Sequence, residues 1–121
     1  MAASGTVNII TQLLGLGKEI DFIDRFTLTN TPTKSHYNYR QQAVADTAEA
    51  LDLGGVSTVD LIVIKAVTND MTLDTSYVSS YVEELNLPEG EIAIFKPSGT
   101  VYVKNEDAVE QVTYEYLVIG R

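Results

Sequence analysis

The residues able to do acid–base or nucleophilic chemistry are few in kind and poorly grouped. The one histidine, His36, sits in SHYNY. A nucleophilic serine needs a base beside it, and the base needs a third group to orient it. Nothing in the spacing ties Ser35, Ser57, Ser76, Ser79, Ser80 or Ser98 to His36. With one histidine and no cysteine, the chain holds no cluster of imidazole or thiolate ligands for a metal. His36 reads as a surface or interface side chain.

Carboxylates are plentiful, and Glu83-Glu84, Glu89/Glu91 and Glu106-Asp107 are the pairs a glycosidase could use. Neighbours on a strand point to opposite faces, so Glu83 and Glu84 do not flank one bond. There is also no tryptophan to stack on a sugar. TNDMTLD, residues 68–74, gathers oxygen groups of the kind calcium takes, but its spacing fits no EF-hand loop, and it reads as a solvated turn. GLGKE, residues 15–19, lacks the first glycine of a phosphate loop and the hydroxyl residue after its lysine, leaving a two-glycine turn. The expectation is a protein that is not an enzyme, with no catalytic residues, no cofactor and no metal.

The elements around these residues are strands. In EIDFIDRFTLT, residues 19–29, Ile20, Phe22, Phe26 and Leu28 alternate with mostly polar neighbours, and Asn30-Thr31-Pro32 ends the run. STVDLIVIKAV, residues 57–67, is the most apolar stretch. Val59, Leu61, Val63 and Val67 share one face and Ile62 and Ile64 the other, as in a strand that is central or covered at an interface. On this reading an aspartate at Val63 would be buried without a partner. Further strands are expected at Thr6–Leu13, about 36–47, Val78–Leu85, Ile92–Lys96, Thr100–Lys104 and Val112–Ile119. LPEGEIAIFKPSGTVYVKN, residues 87–105, reads as a hairpin that serves as scaffolding. YRQQAVADTAEALDLGG, residues 39–55, is ambiguous: its alanines and glutamines suit a helix, but the apolar stripe is weak. Any helix is expected to be short and to lie within 44–53. Turns recur at Gly54-Gly55, Thr68-Asn69-Asp70, Pro88-Glu89-Gly90 and Ser98-Gly99. The whole predicts one all-β domain, 1–121, an antiparallel β-sandwich of jelly-roll type, with 1–35 as a candidate assembly arm.

Composition narrows the partners. The 121 residues are enough for one core. Seventeen acidic against eight scattered basic residues give a net charge of −9, which argues against nucleic acid and against an anionic membrane surface. No apolar run approaches the roughly 18 residues of a membrane helix. MAASGTVNII lacks a positive stretch before its apolar one, so no signal peptide is expected. Seven tyrosines stand out. Tyr37 and Tyr39, Tyr77 and Tyr81, and Tyr114 and Tyr116 suit half-buried positions with a polar tip at the rim, and tyrosine is also favoured at subunit contacts. With Ile62 and Ile64, these six are the candidate interface residues.

The succession LDLGGVSTVDLIVIKAV, LNLPEGEIAIFKP, GTVYVKN and YEYLVIGR resembles small bacteriophage virion proteins of β-sandwich or jelly-roll type, such as decoration (cement) proteins and tail- or fibre-associated proteins. The resemblance covers about residues 40–121 and carries no catalytic residues. It implies a structural component of a virion, assembled in the host cytoplasm. The implied partners are further copies of the same chain, as a homotrimer, and other virion proteins such as the major capsid protein. The alternative is a module that recognises a host glycan or receptor through its loops.

Overall fold

A computed structural model describes residues 3–15, 17, 20–42, 47–107 and 109–121. The described residues form ten strands: β1 (Thr6–Leu13), β2 (Ile20–Thr27), β3 (Lys34–Gln42), β4 (Glu49–Ala50), β5 (Val59–Thr68), β6 (Met71–Tyr77), β7 (Leu85–Leu87), β8 (Ile92–Phe95), β9 (Thr100–Lys104) and β10 (Val112–Gly120). From β3 onward the pairings nest. β6 pairs with β7, β5 with β8, β4 with β9 and β3 with β10, all antiparallel. The chain is thus one long hairpin rolled up, with its paired legs falling alternately into two sheets, β3-β10-β5-β8 and β4-β9-β6-β7. That is the jelly roll the alternation predicts. There is no helix among the described residues: in the ambiguous stretch 39–42 and 49–50 are strand, and 43–46 lies outside the described residues.

The core lies between the sheets. Ile62, Ile64, Ala66, Tyr114, Tyr116 and Val118 enter it from one side, and Met71, Leu73, Leu87, Val101 and Val103 from the other. Each fully buried aliphatic side chain of this kind contributes on the order of 1.5–3 kcal/mol. β10 alternates without a break between buried and half-buried positions over all nine residues, because it is paired on both edges.

Several sequence expectations are corrected. Residues 87–105 are not a hairpin: β8 pairs with β5 in one sheet and β9 with β4 and β6 in the other, so Pro97-Ser98-Gly99 carries the chain across the sandwich. Residues 78–84 are a loop instead of a strand. The strand lies earlier, at β6, where Met71, Thr72, Leu73 and Asp74 of the supposed solvated turn are all buried. Val63 faces outward and is half-buried, since the core side of β5 belongs to Ile62, Ile64 and Ala66. A register shift at Asp60 also separates Val59 from that outer face and packs it against the core.

The C-terminal end of β10 tolerates no side chain at Gly120. A Cβ there would overlap the Thr58 carbonyl oxygen and come within 2.8 Å of Val56 Cγ1. Gly120→Ala must push apart two backbones, and a loss of roughly 2 kcal/mol or more is expected in urea unfolding. Ile64→Asp places an unpartnered carboxylate in the core and costs several kcal/mol of a total on the order of 5–15. Val63→Asp leaves the fold intact. Circular dichroism of the two aspartate variants separates these outcomes, and an unfolded Val63→Asp would contradict the placement of its side chain.

Candidate functional site

The sequence candidates for chemistry are placed apart and used for structure. His36 points inward from β3, half-buried, with its ring edge-on to Tyr116 at 6.0 Å. The surface or interface side chain expected here is instead half-buried against the core. Its Nε2 faces the Asp52 carboxylate at 3.8 Å, too far for a hydrogen bond, and Arg40 approaches the same oxygen at 3.8 Å. The Tyr116 hydroxyl donates to the Asp52 carbonyl oxygen at 2.7 Å. Gly54, at φ 61°, lies so close that a Cβ would sit 2.7 Å from the His36 ring. Among the described residues no serine hydroxyl bonds to His36, so no nucleophile–base pair forms there.

The carboxylates act as turn acceptors. Buried Asp74 accepts the Ser76 N–H at 3.0 Å and the Val82 N–H at 2.9 Å. Burial disfavours its ionised form, yet the Val82 and Ser76 N–H donors, together with a side-chain hydrogen bond with Glu84, outweigh it and hold the carboxyl below its ordinary range. Glu84 accepts the Ser76 hydroxyl at 2.7 Å and the Thr75 N–H at 2.9 Å, fastening the same loop. Asp107 accepts the N–H groups of Val109 and Glu110, which lower its pKa. Glu106 accepts from Thr72. Among the described residues no group of three histidine, aspartate or glutamate side chains is arranged to hold a metal ion.

The tyrosines divide into three kinds. Tyr114 and Tyr116 are core residues, as are Ile62 and Ile64, so these four interface candidates are covered by the chain's own two sheets. Burial pushes the Tyr114 hydroxyl up to about 12. Tyr77 stacks on Tyr102 at 3.6 Å. Tyr81 bonds Thr72 at 2.6 Å, with its pKa pushed up to about 12 chiefly by burial. Tyr37 and Tyr39 are the tyrosines left exposed on a sheet face, at 62% and 54%.

These two rings lead to an exposed apolar surface on one sheet. On the outer face of β3-β10-β5-β8 the registers put Tyr37 beside Leu117, Leu117 beside Val63, and Val63 beside Ile94. An apolar row therefore crosses all four strands. The next row is Tyr39, Glu115, Lys65 and Ile92, with the Tyr37 hydroxyl donating to Glu115 at 2.6 Å and raising its own pKa. Sequence reasoning missed Leu117, Ile92 and Ile94, because alternation divides a strand into two faces without saying which one meets the other sheet.

A second exposed apolar surface is the β1–β2 hairpin, which pairs only with itself. Its register puts Val7, Ile9, Leu13, Phe22 and Phe26 on one side, with Thr11 and Asp24. The other side is mostly polar, with Asn8, Gln12, Asp21 and Arg25 around the Ile10–Ile23 pair. Phe22 is 59% and Phe26 45% exposed. The Leu28 N–H donates to the Gly5 carbonyl at 2.8 Å, extending the hairpin's own ladder, and the root is fastened to the sandwich where the Thr33 N–H donates to the Gly120 carbonyl at 2.8 Å. Asn30 reaches the buried Asp60 carboxylate, which Arg121 also holds from Nη2 at 3.1 Å and Nε at 3.3 Å. Between root and sheet lies a cleft of about 360 Å³ lined by Ile9, Phe26, Leu61, Ile94 and Phe95 among others.

No protein-family model, no curated protein and no solved structure matches the chain.

Arg121, with Asn30 and Lys96 adding to it, holds the Asp60 carboxyl below its ordinary value of 3.8. A carboxylate with a lowered folded pKa stabilises above its unfolded pKa, and that contribution fades as pH falls through the folded value. Asp60→Asn is therefore expected to be less stable than the parent at pH 7, with the gap closing below about pH 4. Paired urea titrations at the two pH values measure it, and a gap independent of pH would remove the ion pair from the account.

Proposed function

We propose that this protein is a non-enzymatic structural component of a phage particle, decorating or cementing the capsid or tail through subunit packing. The observation that carries the packing role is the apolar row Tyr37–Leu117–Val63–Ile94 on an outer sheet face. A two-sheet sandwich needs one apolar face per sheet, so a second one is surplus to folding and suits a contact with another protein. The virion setting comes from the resemblance of residues 40–121, and the same resemblance supplies the homotrimer and the capsid as partners. The net charge of −9 opposes self-association, so apolar burial must outweigh it.

Multi-angle light scattering at micromolar concentration across a salt series tests the reading, together with co-sedimentation with empty capsids and with tails. An oligomer that strengthens with salt, and retention on particles, are expected. A monomer at every salt that sediments with neither particle would defeat the proposal, and binding to immobilised glycans in its place would support the loop-recognition alternative.

A further inference from the structure

The cleft between the hairpin and the β3-β10-β5-β8 sheet has the build of a small-molecule site, and subunit packing does not account for it. We propose that it binds one medium-chain carboxylate, with the apolar chain between the two walls and the carboxylate on Lys96. This goes beyond the assembly reading and does not depend on it.

The walls come from two elements of one chain. Ile9, Phe26 and Leu28 stand on the hairpin side, and Leu61, Ile94 and Phe95 on the sheet side. The root is held by the Thr33 N–H on the Gly120 carbonyl and by the Asn30 amide on the Asp60 carboxylate. Hydrogen bonds therefore set the spacing there, and the apolar walls stand apart without packing tightly on each other. Leu61, on the floor, is only 4% exposed, but Phe26 is 45% and Ile94 43% exposed. Covering such walls favours uptake of an apolar molecule.

Size limits the occupant. The cleft's volume of about 360 Å³ lies within the range of small-molecule sites and near its lower end. At roughly 30 Å³ for each water-sized group, it holds about twelve non-hydrogen atoms, as many as a ten-carbon carboxylate has.

Charge selects the head group. Two charged residues line the cleft, Asp60 and Lys96. Asp60 is buried and already satisfied by Arg121 and Asn30, so it needs no cation from a ligand. Lys96 is exposed and near enough to help hold Asp60 below its ordinary pKa, but it forms no ion pair among the described residues. One positive charge is thus left over beside an apolar cleft. Lys96 follows β8, the edge strand of its sheet, so a carboxylate can reach its ammonium while staying partly in water. That avoids the cost of burying a bare ion. Asp24, opposite Ile9, is two residues further from the root than Phe26, where only the methyl end of the chain arrives. A cationic head would be repelled by Lys96, and a neutral one would leave it unmatched.

Isothermal titration calorimetry of the full chain tests the site, with decanoate as the probe and octanol as its uncharged counterpart. One decanoate per chain is expected, with a Kd on the order of 100 μM. Lys96→Met keeps the stem and removes the charge, and should weaken decanoate about threefold to tenfold while leaving octanol unchanged. Ile94→Trp fills the cleft from the sheet, and Phe26→Asp sets a carboxylate on the hairpin wall. Both positions are exposed, so each variant should keep the parent circular dichroism and weaken decanoate at least about tenfold. The absence of saturable decanoate binding would overturn the proposal. Binding that neither wall variant changes would put the ligand elsewhere and overturn it too. A Lys96→Met chain that loses decanoate and octanol equally, or loses neither, would overturn the assignment of the carboxylate. Oligomeric state bears on the assembly reading alone, so either proposal can fail without the other.

Discussion

β10 has no free edge, since β3 pairs along one side of it and β5 along the other. Its side chains can therefore only alternate, with Tyr114, Tyr116 and Val118 committed to the core and Glu115, Leu117 and Ile119 committed to the opposite face. The same registers carry this division to β3, β5 and β8, so one decision about which face packs settles the surroundings of four strands. The outward position of Leu117 and Val63 is the necessary other half of the inward position of Tyr116 and Ile64. No local rearrangement can hide that apolar row, because a one-residue slip would expose the core residues instead. Only a surface from outside the sandwich can cover it.

The acidic side chains of the loops have a related role. A jelly roll built from short strands crosses repeatedly between sheets, and each crossing leaves backbone N–H groups that need acceptors. Aspartate is well suited to this, since its carboxylate reaches an N–H two residues on. Asp52 accepts from Gly54, Asp74 from Ser76, and Asp107 from Val109. The buried Asn105 does similar work, accepting from Asp107 and donating to the Glu110 carbonyl. Of the carboxylates that looked like candidate acid–base pairs, Glu84 and Asp107 fasten loops and Glu106 accepts from Thr72. The net charge of −9 keeps copies apart in general and restricts close association to the few surfaces where charge is sparse.

Those surfaces are the outer face of one sheet and one side of the β1–β2 hairpin. Both are amphipathic for the same reason, the period-two alternation of paired strands, and both are joined at the end of the sheet where Gly120, Asp60 and Arg121 meet the root of the hairpin. The Asp60–Arg121 pair and the Asn30 contact make the root a defined joint between the sandwich and its projection. The close packing at Gly120 holds the same corner from the backbone side.

Much of the architecture was legible in the chain by itself. Alternation and turn residues located β1, β9 and β10 nearly to the residue, and predicted an all-β sandwich of jelly-roll type, because strand periodicity and turn chemistry are local properties. The central position of β5 followed from its being apolar on both sides. Pairing was not legible. Residues 87–105 look like a hairpin because adjacent strands with a tight turn between them ordinarily pair, and only the rolled topology sends β8 and β9 to different sheets. Residues 71–74 look like a polar loop because Thr72 and Asp74 find their partners, Tyr81, Glu106 and the Val82 N–H, from distant segments. The candidate interface suffered most. Ile62, Ile64, Tyr114 and Tyr116 are as apolar and as regularly spaced as Val63, Leu117, Tyr37 and Ile94, and a strand's two faces are equivalent until a second sheet covers one of them. The sequence determined that there would be two apolar faces, and the tertiary structure decided which of them became the core.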